Sequence, residues 1–91
     1  MTTILTGAGK DVTGSYTMQT DNALLSYGGT FSGESFTISM LVAGVPEPIP
    51  NGTVTAGGQQ LLRLVRGKVI QVTTSDGGGS PSINVIIDPI Y

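Results

Sequence analysis

The chain has 91 residues, 11% of them charged, and a formal net charge of −2 at pH 7. This length suits one small domain, and the absence of Cys and His excludes disulfides, cysteine metal sites and the usual general base. Four basic residues are too few for a face that binds nucleic acid. No apolar run reaches the length of a membrane helix, and residues 1–6 show no secretory signal. Either the protein is made in a cytoplasm or the chain is already mature, and Met1 favours the first, so we expect synthesis in a cytoplasm.

The composition favours strands over helices. Twelve Thr, eight Val and eight Ile are β-branched, and Gly recurs along the whole chain. Apolar residues do not recur at helical spacing over any long stretch free of Gly and Pro. We therefore predict an all-β protein.

Four strands are predicted in the first half of the chain, where apolar residues alternate between turns. They cover 2–6, 12–20, 23–31 and 35–43. We expect a bulge or bend in the third at Gly28 and Gly29. The residues that share one face of the second strand are Val12, Gly14, Tyr16 and Met18. Those that share one face of the fourth are Phe36, Ile38, Met40 and Val42.

The second half begins with three prolines in five positions, and these predict an exposed, locally extended loop over 45–52. A short strand over 53–56 follows. Strands over 60–64 and 68–74 are expected to form a hairpin that turns near Arg66 and Gly67. A flexible Gly-rich loop covers 75–81, and a last strand over 82–88 ends at Pro89.

About seven short strands with Gly-rich turns predict a single domain over 1–91. Its expected architecture is a small antiparallel β-sandwich or barrel, Ig-like or jelly-roll-like. Alternation gives each sheet one buried face and one open face. The predicted core residues are Phe36, Ile38, Met40, Val85 and Ile87.

No pattern in the chain is typical of catalysis, and we expect a non-enzymatic protein with no cofactor and no metal. The Gly-rich segment 7–10 lacks the frame of a phosphate-binding loop. The carboxylates all lie in or beside predicted turns or strand ends, where solvation is expected: Asp11, Asp21, Glu34, Glu47, Asp76 and Asp88.

Two groups of residues are candidates for a protein interface. Leu41 and Ile86 are expected to point outward, and Ile90 and Tyr91 form an apolar end after Pro89. In a chain so poor in charge, outward apolar residues indicate either ordinary exposure or a surface covered by another protein. The basic residues Arg63, Arg66 and Lys68 surround one predicted turn, which is either solvated or contacts an acidic partner.

Five segments of the chain together form a recognisable pattern: 27–33 (YGGTFSG), the alternating strand 35–42, 53–58 (TVTAGG), 66–72 (RGKVIQV) and the Ile-rich end with DPI at 88–90. This pattern resembles small bacteriophage virion proteins of the head decoration, or cement, type. The resemblance covers residues 23–91. It implies a β-sandwich that binds the outside of an assembled capsid, often as an oligomer, and stabilises it.

The resemblance therefore predicts a structural protein of the virion, made in the host cytoplasm and bound to the major capsid protein or another virion protein. We expect a homo-oligomer with no nucleic-acid or membrane partner. One alternative is a component of a phage tail, fibre or connector. Another is a carbohydrate-binding or adhesion module, a class that usually stacks sugars on exposed aromatic rings.

Overall fold

A computed structural model describes all 91 residues, and the chain is all-β, as predicted. It has eight strands and no helix. The strands are β1 (Thr2–Ala8), β2 (Thr13–Thr17), β3 (Asn22–Thr30), β4 (Phe36–Val42), β5 (Val45–Val54), β6 (Gly58–Arg63), β7 (Val69–Thr74) and β8 (Ser82–Ile90).

The strands form two antiparallel four-stranded sheets. Sheet A has the order β1-β8-β3-β6, and sheet B has the order β2-β7-β4-β5. The first strand pairs with the eighth, the second with the seventh, the third with the sixth and the fourth with the fifth. This is the winding of a jelly-roll sandwich, one of the architectures that the strand pattern predicts.

The predicted hairpin between residues 60–64 and 68–74 is wrong. β6 pairs with β3 in sheet A, whereas β7 pairs with β2 and β4 in sheet B. The link between them crosses from one sheet to the other, and the amide of Gly67 there donates a hydrogen bond to the carbonyl oxygen of Met18.

Sequence neighbours pair across a tight turn only at β4 and β5, where Ala43 and Gly44 both have positive φ (53° and 81°), as a type I′ turn requires.

The proline-rich segment 45–52 is not a loop but most of β5, the edge strand of sheet B. Pro46 and Pro48 pair with Leu41 and Ser39 of β4. Alternate residues of a strand direct their amides to the same side, so both prolines place the missing N–H toward the open edge. The sequence correctly excludes a central strand, and the edge position accommodates the prolines.

The core lies between the inner faces of the two sheets. Phe36, Ile38, Val85 and Ile87 are fully buried there, as predicted. Met40 is only half-buried, because it lines a groove at the open side of the sandwich. Val42, predicted to share the core-facing side of β4, is exposed because β4 ends there in the tight turn.

Other details of the strand prediction differ from the structure. β2 begins at Thr13 and leaves Val12 exposed, although Tyr16 and Met18 are buried as their shared face suggests. The pairing of β3 with β8 continues without a register shift through Gly28 and Gly29, so no bulge interrupts it. The Gly-rich residues 75–81 do connect β7 to β8 without joining a strand.

One side of the sandwich is closed by its own backbone. The edge strands β1 and β2 lie there, and a Cβ atom added to Gly14 would stand 2.5 Å from the carbonyl oxygen of Ile4. A side chain at position 14 would separate the two sheets at this side. The opposite side lies between β5 and β6.

Candidate functional site: an apolar end of the sandwich

The direction of the strands gives the sandwich two ends. One end holds the β2–β3, β4–β5 and β6–β7 links together with Met1 and Tyr91. The other holds the β1–β2, β3–β4, β5–β6 and β7–β8 links. The first end carries most of the exposed large apolar side chains, and we call the following six residues the apolar end: Met1, Val42, Val45, Val65, Ile90 and Tyr91.

The apolar end contrasts with the rest of the surface. Tyr91 is 96% exposed and Val65 69% exposed. At the opposite end the only exposed large apolar side chain is Val12, at 37%. Several exposed apolar residues on one end of a small domain are typical of a surface that contacts another protein.

Of these six residues, Ile90 and Tyr91 are interface residues predicted from the sequence, whereas Val42, Val45 and Val65 are not. These three flank the tight turn of β4–β5 or lie in the link beside Arg66. The signal in the sequence is an apolar residue within two positions of a turn glycine, because a strand that ends at a turn leaves its last side chains outside the core.

The three basic side chains also lie at or near the apolar end. Arg63 ends β6, and Arg66 and Lys68 are exposed in the β6–β7 link. None of them forms an ion pair; the single ion pair joins the Met1 ammonium to Asp88 at 3.2 Å. An acidic partner could therefore reach all three without breaking an existing bridge.

A polar cavity of 300 Å³ lies at this end, lined by Gln19, Thr20, Asp21, Arg66 and Tyr91. The carboxylate of Asp21 accepts a hydrogen bond from the backbone amide of Arg66 (2.9 Å), which joins the β2–β3 link to the β6–β7 link. The hydroxyl of Tyr16, which lies near Tyr91 and the backbone of Gln19, is buried and forms no hydrogen bond of normal geometry. Burial, and secondarily the charge of Tyr91, raises the pKa of Tyr16.

The structure does not bring all seven predicted interface residues together. Ile90 and Arg63 flank Asn22 on the outer face of sheet A, and Ile86 lies further along the same face. Leu41 lies on the outer face of sheet B, so it cannot share a flat surface with Ile86. Both Leu41 and Ile86 are half-buried by their neighbours.

Glu34, at the opposite end, departs from the solvated role expected of turn carboxylates. Only 5% of its surface is exposed. Its carboxylate accepts hydrogen bonds from Ser75 Oγ (2.6 Å) and from the amides of Gly77 and Gly79 (both 2.7 Å). These bonds, led by that of Ser75, lower the pKa of Glu34 and hold the Gly-rich loop that the sequence suggests is flexible.

The lowered pKa predicts a stability that falls in acid. The contribution of Glu34 is complete above its ordinary pKa of 4.5 and is lost as the pH falls through its lower folded value. Glu34→Gln should be less stable than the parent at neutral pH, because its NH2 group would face a backbone amide. Urea unfolding between about pH 7 and pH 3 should show the free energies of unfolding of the two proteins converging as the pH falls. Asp76→Asn, at an exposed carboxylate in the same loop, is the control; a constant gap between parent and Glu34→Gln would contradict the prediction.

The side chains show no group of three or more His, Cys, Asp or Glu residues that could hold a metal ion. No helix long and apolar enough to cross a membrane is present. No protein-family model matches the chain, and no curated protein matches its sequence.

Proposed function

We propose that this chain is a non-enzymatic structural protein of a bacteriophage virion, which binds the outside of the capsid as a decoration or cement protein and stabilises the head. The observation that carries the proposal is the apolar end, where exposed side chains such as Val65 and Tyr91 gather beside Arg66 and Lys68. The resemblance of residues 23–91 to phage decoration proteins supports the same role.

Exposing the side chains of the apolar end to water is unfavourable. Water around exposed Val, Ile and Tyr side chains is released when another protein covers them, and interface cores are enriched in aromatic and depleted in charged residues. Basic residues beside that surface add an electrostatic preference for an acidic partner. In this proposal the partner is the major capsid protein or another virion protein, and neither nucleic acid nor a membrane takes part.

A repeated lattice strengthens such binding. One copy can bind weakly, yet linked copies on neighbouring capsid subunits dissociate far more slowly than a single copy. Binding to the intact lattice in preference to the swollen or open one raises the temperature at which the particle opens. A homo-oligomer made in the host cytoplasm would therefore act as a cement without catalysing a reaction.

A carbohydrate-binding or adhesion module is less well supported. Sugar-binding modules stack their ligands on exposed aromatic rings. Here Tyr16 and Phe36 are buried, Tyr27 and Phe31 pack against the core, and Tyr91 is the one exposed ring. A role in a phage tail, fibre or connector uses the same kind of protein contact, and copy number separates it from decoration.

The experiment adds purified protein to phage particles that lack it, then measures occupancy and particle melting. Val65→Glu should bind about tenfold or more weakly, because a carboxylate at the covered surface loses its water without gaining a partner. Val12→Glu, at the opposite end, is the matched control and should bind like the parent. The particle carrying the parent should melt at a higher temperature than the bare particle.

The same experiment can reject the proposal. If the parent has no affinity for particles, decoration is wrong. If mass spectrometry of whole phage finds only a few copies for each particle, the tail or connector role replaces it. If Val65→Glu and Val12→Glu both bind like the parent, the apolar end is not the contact surface.

A further inference from the structure

The four edge strands of the sandwich differ in how well they are protected. An edge strand presents unpaired N–H and C=O groups that can bind another strand, and most proteins block this with prolines, bulges, charges or covering segments. In this fold the edges are β1 and β6 of sheet A, and β2 and β5 of sheet B.

Three of the four edges are protected. β1 and β2 lie side by side, with Gly14 close to the backbone of Ile4, and the pairing of β1 with β8 is broken by two register shifts. β5 carries Pro46, Pro48 and Pro50, and its pairing with β4 shifts register between Thr37 and Ser39. None of these strands offers a regular free edge.

β6 is the unprotected edge. It pairs with β3 in perfect register from Tyr27↔Gly58 to Asn22↔Arg63, and it contains neither proline nor bulge. Its single charge, Arg63, lies at one end. Leu61, near its middle, is 49% exposed on the outer face of sheet A.

The space beside β6 is apolar. A groove of 320 Å³ separates β6 from β5 at the open side of the sandwich. The side chains that line it include Met40, Ile49, Leu62 and Leu64. A strand added to β6 would cover this groove as well as the free backbone groups, so both hydrogen bonding and apolar burial favour the same placement.

We propose that the β6 edge binds the β6 strand of a second copy of this chain. Pairing would be antiparallel about a two-fold axis at Leu61 and would join the two A sheets into one sheet of eight strands. The proposal concerns contacts between copies and does not rest on the virion role.

A second copy fits better than another occupant because β6 is complementary to itself. The added strand must be free of prolines and bulges and must have an uncovered edge. Of the four edge strands only β2 and β6 lack both prolines and bulges, and β2 lies against β1, so β6 alone offers an uncovered regular edge. A two-fold axis at Leu61 places Arg63 of each copy opposite the uncharged Gln59 of the other. The two guanidinium groups are then separated by about 14 Å along the strands, so like charges do not oppose the contact.

The first experiment measures mass by sedimentation equilibrium up to about 1 mM, a range that detects weak dimers. The parent should reach a dimer, twice the chain mass of 9.3 kDa. Leu61→Glu should remain a monomer, because the axis would place two carboxylates against each other. Val65→Glu, at an exposed apolar residue off the β6 edge, is the matched control and should dimerise. Mixing Leu61→Glu with Leu61→Lys should restore a dimer.

A second experiment stays informative if a charge at position 61 prevents folding. The chain has no cysteine, so Leu61→Cys introduces a single thiol. Directly opposed residues of antiparallel strands lie at a Cα separation of about 4.5 to 5.5 Å, which a disulfide spans. Mild oxidation should link Leu61→Cys into covalent dimers and leave Val65→Cys largely unlinked. A parent that stays monomeric, or a dimer that survives Leu61→Glu and fails to cross-link through Leu61→Cys, would overturn the proposal.

Discussion

Replacing Phe36 by alanine is expected to lower the free energy of unfolding by about 3 to 5 kcal/mol. The Phe36 side chain is fully buried between the sheets. The centroid of its ring lies 5.1 Å from that of Tyr27, in an edge-to-face arrangement, and 6.1 Å from that of Phe31. Alanine would leave a cavity at the point where β3 of sheet A packs on β4 of sheet B.

The size of the effect matters because the domain is small. A folded domain is typically stable by about 5 to 15 kcal/mol, and a domain this small belongs near the lower end, where the substitution would remove half of the stability or more. Urea unfolding followed by circular dichroism measures the difference. Phe36→Leu keeps most of the volume and is the control, with an expected cost well below that of alanine. If Phe36→Ala cost less than about 1 kcal/mol, Phe36 would not be a central core residue.

Replacing Gly29 by alanine is expected to have the second large effect, lowering the free energy of unfolding by more than about 2 kcal/mol. Gly29 has φ of 109°, which side chains rarely adopt. A Cβ atom there would stand 2.2 Å from the carbonyl oxygen of Ser82, a backbone atom of the neighbouring strand. Relief of the contact requires β3 and β8 to move apart.

Gly28 provides the matched control for Gly29, because the two glycines are adjacent on the same strand. A Cβ atom at Gly28 meets nothing within 4 Å, and its φ is not positive. Gly28→Ala should therefore melt within a few degrees of the parent, whereas Gly29→Ala should melt far lower. Equal melting temperatures for the two variants would contradict the prediction, because the backbone at Ser82 would then move away from the new Cβ atom without loss of stability.

Local patterns were enough to predict the class of fold and much of the core. Ile83, Val85 and Ile87 occupy every second position of β8, and all three are buried, whereas Asn84 and Ile86 between them face outward. Phe36 and Ile38 follow the same rule in β4. These predictions hold because side chains of a strand alternate between its two faces, so the order of residues reports which face is buried wherever both sheets cover the strand.

The alternation rule fails where a strand extends beyond the part that the opposite sheet covers. Met40 and Val42 continue the alternation of Phe36 and Ile38, yet Met40 lines the groove and Val42 is exposed. Burial there depends on whether the opposite sheet reaches that point. Glu34 shows the converse, since its burial requires the β7–β8 loop, about forty residues later, to fold over it.

The sequence by itself determined that this protein is built from short strands with one apolar face. Only the tertiary structure decided which strands pair, that the proline segment forms an edge, and that Val42, Val45, Val65 and Tyr91 share one end. The physical reason is the jelly-roll winding, in which most partners are far apart in sequence, such as β1 with β8. Alternation describes each strand alone, whereas pairing and shared ends follow from the packing of all eight strands around one core.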